Sequence, residues 1–135
     1  MPISFHAHTV TVTPEDWGLT VTLTGDSTED EDFYLMLQRK KHFTDRDKQL
    51  GMSDVYIEYC GQGMSWYGSI ESFRLLKDSV AVQMRPAAAA EKQNDGKVLV
   101  SFNPLERERL RSAFGTVFEG RTYYTEEGLN GRRHR

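Results

Sequence analysis

The hydrophobic pattern of this chain changes period once. Up to Phe102 apolar positions alternate in steps of two; after Asn103 they recur in threes and fours. Ile3–Thr13 sets Val10 and Val12 against Thr9, Thr11 and Thr13, and the next run sets Leu19, Val21 and Leu23 against Thr20, Thr22 and Thr24. Successive side chains of a strand point to opposite faces, so the alternation predicts two strands with one buried and one solvated side each. Pro14–Gly18 reads as the turn of a hairpin between them. A third strand is predicted over Phe33–Arg39, with Phe33, Leu35 and Leu37 opposite Tyr34, Met36 and Gln38. A fourth sets Val55, Ile57 and Tyr59 against Tyr56, Glu58 and Cys60. Ile70–Leu76, Val80–Arg85 and Lys97–Phe102 complete about seven strands, with turns at Lys77-Asp78 and Asn94-Asp95-Gly96. Lys40–Ser53 lacks a clean period and reads as a charged loop with room for a helical turn, as does Ala87–Ala90 after Pro86.

Asn103-Pro104 is a helix start, because Asn accepts from free amides and proline at the first position wastes no donor. Leu110, Ala113, Phe114, Val117 and Phe118 then form one apolar stripe, and Gly120 is a natural cap. The class is α+β. Seven strands span roughly 30 Å at ~4.8 Å each, and one helix is only ~10 Å across. Such a sheet must curl, split into two layers or leave a face for a partner. The expectation is a mostly antiparallel, curved sheet of about seven strands with the helix packed on one face. Residues 1–120 read as one domain and 121–135 as a basic, flexible tail.

A chain of 135 residues with 38% apolar and 27% charged positions suits one globular domain. Its apolar runs fall far short of the ~20 residues that span a bilayer, so no membrane partner is expected. A single cysteine forms no internal disulfide and fits a reducing, cytoplasmic setting. The net charge of −3 is uneven: residues 121–135 carry four arginines against two glutamates, a net +2, which leaves −5 in the rest. The acidity gathers in Asp26–Asp32, including Asp30 and Asp32. A body of that sign argues against nucleic acid, whose binders use cations on phosphate. It suits steering toward a basic protein surface, although a solvated hairpin loop is the plainer reading.

Catalytic chemistry finds little support. His6 and His8 share a strand face but lack a third ligand at a diagnostic spacing. Cys60 abuts Gly61-Gln62-Gly63 without a base placed by any signature. Glu58 with Glu71 or Asp54 could form an acid/base pair, but nothing fixes a separation. The glycine loop lacks the Gly-Lys-Ser/Thr ending of a phosphate site. No cofactor or metal is expected. Contact residues are better supplied: Tyr34, Tyr56 and Glu58 on the second sheet face, Trp66 and Tyr67 beyond the loop, and Arg74. Tyr, Trp, Met and Arg are the types that interfaces enrich, and a mixed solvent-facing side is the plain alternative. Trp66 could equally fold back on the core edge.

The run Phe33-Tyr34-Leu35-Met36-Leu37-Gln38-Arg39, Val55-Tyr56-Ile57-Glu58-Tyr59 with Gln62 and Tyr67-Gly68-Ser69-Ile70, and the closing Leu110–Phe114 helix together resemble the Immunity protein 10 family. The resemblance covers Phe33–Phe118. It implies a non-enzymatic protein of bacterial polymorphic toxin systems that neutralises a cognate toxin, and it implies no particular site residues. The contact candidates above would then meet the toxin, with the acidic run as steering charge. The same uncovered face would serve a homodimer. A second reading is a small-ligand module whose curved sheet makes a pocket of Tyr34, Met36 and Tyr56. A third, a cysteine or metal hydrolase, would need Cys60 or the histidine pair close to a base or a third ligand.

Overall fold

The structure, a computed structural model, describes residues 3–29, 31–60, 64–91 and 95–127. Among them are ten strands in two sheets, not seven in one. The first sheet is a meander: β2 (Thr9–Glu15), β3 (Gly18–Ser27), β4 (Asp32–Lys40), β5 (Tyr56–Tyr59) and β6 (Ser65–Tyr67) pair in chain order, all antiparallel. The second is mixed. Its centre is the antiparallel set β7 (Ile70–Leu75), β8 (Ser79–Met84) and β9 (Lys97–Ser101); β1 (Ile3–His6) joins β9 in parallel, and β10 (Tyr124–Glu126) joins β7 in parallel.

Two crossings split what the alternation suggested was one sheet. Ile3–Thr13, expected as one strand, breaks at Ala7-His8. There the Ala7 amide donates to Ser101 O in the mixed sheet at 2.8 Å and the His8 amide to Thr24 O in the meander at 2.8 Å. The second crossing is Gly68-Ser69, both in the left-handed region at φ 76° and 67°. Here the Gly68 amide reaches back to Val55 O, while Ser69 O accepts from the Arg85 amide. Glycine adopts that conformation without the steric cost a Cβ brings.

The division solves the covering problem. Val21, Leu23, Leu35, Leu37 and Ile57 of the meander join Phe73, Leu75, Val80, Val82, Val98 and Val100 of the mixed sheet in one buried cluster. A helix α3 (Arg107–Val117), preceded by a 3-10 turn at Pro104–Glu106 capped by Asn103, adds Leu110, Ala113, Phe114 and Val117 to that cluster. Each sheet therefore hides one face behind the other elements, and the helix covers only a share. Phe114 meets Phe73 of β7 edge-on at 5.0 Å between ring centroids. From the meander, Arg39 Nη1 donates to Val117 O at 2.9 Å and Glu119 O at 2.8 Å, placing a cation on the open carbonyls at the helix end.

The loop 40–53 contains a short helix, α1 (Asp45–Gln49), closed by a reciprocal capping box of Thr44 and Asp47. Ala87–Ala90 falls within α2 (Pro86–Glu91), which packs Ala88 and Ala89 inward. The segment read as the start of a tail instead supplies β10. It is held by the stacked rings of Tyr124 and Phe118, 4.9 Å apart, and by buried Arg107, which donates to Glu127 O and, at 3.1 Å, to Leu76 O. Residues 128–135 of the expected tail lie outside the described residues.

Candidate functional site

The inward rows bury the aliphatic side chains, so the outer face of the meander collects the polar half of each alternation. Strand register lines these up in rows. Thr11, Thr22, Met36, Glu58 and Ser65 form one; Thr13, Thr20, Gln38, Tyr56 and Tyr67 form the next; Thr9, Thr24 and Tyr34 form a third. None of these side chains is buried.

Glu58 sits in the middle row. Tyr34 reaches it from β4 and donates its hydroxyl to Oε2, while Tyr56, two residues back on the same strand, donates to Oε1 at 2.5 Å. Side chains two apart on a strand share a face, which is why Tyr56 can fold over its neighbour. Burial, reinforced by the Glu58 bond, raises the Tyr56 phenol above its ordinary range. Tyr67 lies alongside Tyr56 with ring centroids 5.0 Å apart, and Gln38 Nε2 donates to Thr20 Oγ1 at 3.2 Å. Among the described residues, no lysine, arginine or histidine stands within ion-pair distance of Glu58.

Of the expected contact residues, Tyr34, Tyr56, Glu58 and Tyr67 converge here. Trp66 does not. It is paired in register with Ile57, so it points to the inward side, and its ring packs on Tyr59 at 5.6 Å. Arg74 is exposed on the outer face of the other sheet, between Ala81 and Thr125. Asp32 is exposed at the start of β4, where the hairpin brings it opposite Ser27. Asp30 lies outside the described residues. Ser65 was not foreseen on the face because nothing in three residues of β6 announces a paired strand.

The remaining candidates have other occupations. His6 Nδ1 bonds Ser101 Oγ at 2.8 Å and His8 Nε2 meets Asp26 Oδ1 at 3.0 Å. Among the described residues, no group of three His, Cys, Asp or Glu side chains is placed to hold a metal ion. Burial pushes the Cys60 thiol up, away from the thiolate that a nucleophile requires, and its Sγ lies 3.6 Å from Tyr34 O. An open cleft of about 510 Å³ is lined by Ile70, Glu71, Arg85, Pro86, Ala87, Thr122 and Tyr123. None of Tyr34, Met36 and Tyr56 lines that cleft. Among the described residues, no helix is long and apolar enough to cross a membrane.

A model of the Immunity protein 10 family matches residues 5–110. No curated protein and no solved structure matches the chain. The match begins well before Phe33, so it takes in the first hairpin as well as the whole outer face of the meander. With most of its length matched, the chain belongs to the Immunity protein 10 family.

Proposed function

We propose that this protein is a non-enzymatic, cytoplasmic immunity protein that binds a cognate toxin and blocks its active or binding surface, using the outer face of the meander. The observation that carries this reading is the convergence of Tyr34, Tyr56, Glu58, Met36 and Tyr67 on one solvent-accessible face of a protein of this family. Large, rigid aromatic side chains bring contact area at low entropic cost. Here they are braced before any partner arrives, and such bracing lowers the cost of binding. Exposed Asp26, Glu29, Glu31 and Asp32 beside that face would speed encounter with a basic partner.

Purified protein titrated with the toxin domain encoded next to its gene is expected to give a one-to-one complex and to silence the toxin in a growth assay. Absence of both binding and protection refutes the proposal. A second copy of this chain on the same face is the competing occupant. Concentration-dependent dimerisation that the toxin does not displace would favour it.

A further inference from the structure

Building on that reading, we propose that Glu58 is a preformed socket for a cationic side chain of the toxin, and for a guanidinium in particular. Each carboxylate oxygen receives one phenol: Tyr34 on Oε2 and Tyr56 on Oε1. A carboxylate offers about four acceptor positions, so the two phenols fix its plane and leave acceptor capacity on both oxygens. Two parallel acceptors in a fixed plane are what the fork of an arginine fits.

Among the described residues, no cation reaches Glu58, although Asp47, Asp54, Glu106 and Glu126 each have one. Glu58 is also half-buried among Met36, Ser65 and the two phenols, where an uncompensated charge is costly. A threonine, as at Thr11 and Thr22 in the same row, would satisfy the sheet without that cost. The Tyr56 and Tyr67 rings add faces beside the carboxylate on which a cation can rest. Charge complementarity therefore selects the occupant: an arginine, or less well a lysine, projecting from a basic protein surface.

The test measures affinity of the full chain for the co-encoded toxin by calorimetry at two salt concentrations. Glu58→Gln keeps the shape and removes the charge; it is expected to weaken binding at least about 30-fold, mostly through faster dissociation. Tyr34→Phe and Tyr56→Phe keep the charge but release its plane, and each should weaken binding about 5-fold. Thr125→Ala, on the outer face of the other sheet, should leave affinity unchanged. Thermal melts accompany each variant; should Glu58→Gln unfold, the double Tyr34→Phe/Tyr56→Phe variant carries the test. A toxin that binds wild type and Glu58→Gln within 3-fold overturns the socket and leaves the immunity reading intact. A wild-type protein that binds no toxin overturns that reading itself. Loss of self-association in Glu58→Gln, with toxin affinity unchanged, assigns the face to a second copy and also overturns the proposal.

Discussion

Phe73 is the point at which the mixed sheet is tied to the helix, and replacing it measures that tie. The side chain is fully buried. Its ring lies 5.0 Å from Phe114, 4.6 Å from Phe118 and 6.1 Å from Tyr124, so one residue of β7 joins α3, the helix exit and β10. Burying roughly 150–200 Å² of ring at about 25 cal/mol per Å² stabilises by about 4–5 kcal/mol. Phe→Ala substitutions in cores cost about 3–5 kcal/mol once partial collapse of the cavity is included. Phe73→Ala is therefore expected to lose about 4 kcal/mol, a large part of the roughly 5–15 kcal/mol that holds a typical domain. Phe73→Leu keeps most of the burial and forfeits the ring pairs, so about 1.5 kcal/mol should go. Urea unfolding followed by tryptophan fluorescence reads both, because Trp66 is half-buried against Tyr59 while Trp17 is 44% exposed. At a slope near 2 kcal/mol per molar, the Ala midpoint should fall by about 2 M. A fall worth less than about 1 kcal/mol, or a Leu variant as weak as the Ala one, would refute the reasoning.

Gly18→Ala should cost at least about 2 kcal/mol, since its Cβ would lie 2.0 Å from Arg39 O in the neighbouring strand; a thermal melt equal to wild type would contradict that close approach. Thr44→Ala removes half of the capping box on α1 and is expected to lose about 1 kcal/mol in the same urea assay. Hydrogen bonds from Lys40, then from the Thr44 amide, hold the Asp47 carboxyl below its ordinary value. That contribution is present above about pH 4 and vanishes as pH falls through the lower folded value, so the stability gap between wild type and Asp47→Asn should close in acid; a gap independent of pH would count against it. Burial pushes the Tyr59 phenol up to about 12. The sign is opposite: its contribution is intact below about pH 10 and lost as pH rises toward 12. Burial also raises the Tyr123 and Tyr124 phenols, so tyrosinate absorbance should show a group of late-ionising phenols in wild type and one fewer in Tyr59→Phe.

Alternation made the outer face of the meander legible. Tyr34, Met36, Gln38, Tyr56 and Glu58 all fall on the side opposite Leu35, Leu37 and Ile57, where the structure places them. That the two phenols reach one carboxylate was not legible, because it depends on the pairing of Leu35 with Tyr59 and of Leu37 with Ile57. The intervening loop and α1 set that register, and no local pattern encodes it. The break between β1 and β2 did leave a trace. Inward positions are odd through Ile3, Phe5 and Ala7, then even at Val10 and Val12, and such a flip of parity marks a strand that changes partners. Trp66 was ambiguous because three residues of β6 establish no period. Parallel pairing of β1 with β9 and β10 with β7 joins segments remote in the chain, so it lies beyond any reading of short windows.

The two sheets also differ in when they can form. Every pair in the meander joins strands consecutive in the chain, whereas the mixed sheet must bring His6 to Ser101, 95 positions away. Closing a loop of that size costs about 1.5 kcal/mol more than closing one of about 15 residues, and distant pairings form late. The face that carries Glu58 is complete in sequence once Tyr67 has left the ribosome, but its apolar underside waits for α3 and for a sheet that needs β10. At about 5–20 residues per second, that interval lasts several seconds. A nascent chain would therefore display the socket before it can hold it rigid, and toxin capture is expected only once β10 has emerged and paired with β7. Free chains truncated after residue 90, which hold the whole meander but lack β9, α3 and β10, should fail to bind toxin, and binding by such a chain would show that the meander stands alone.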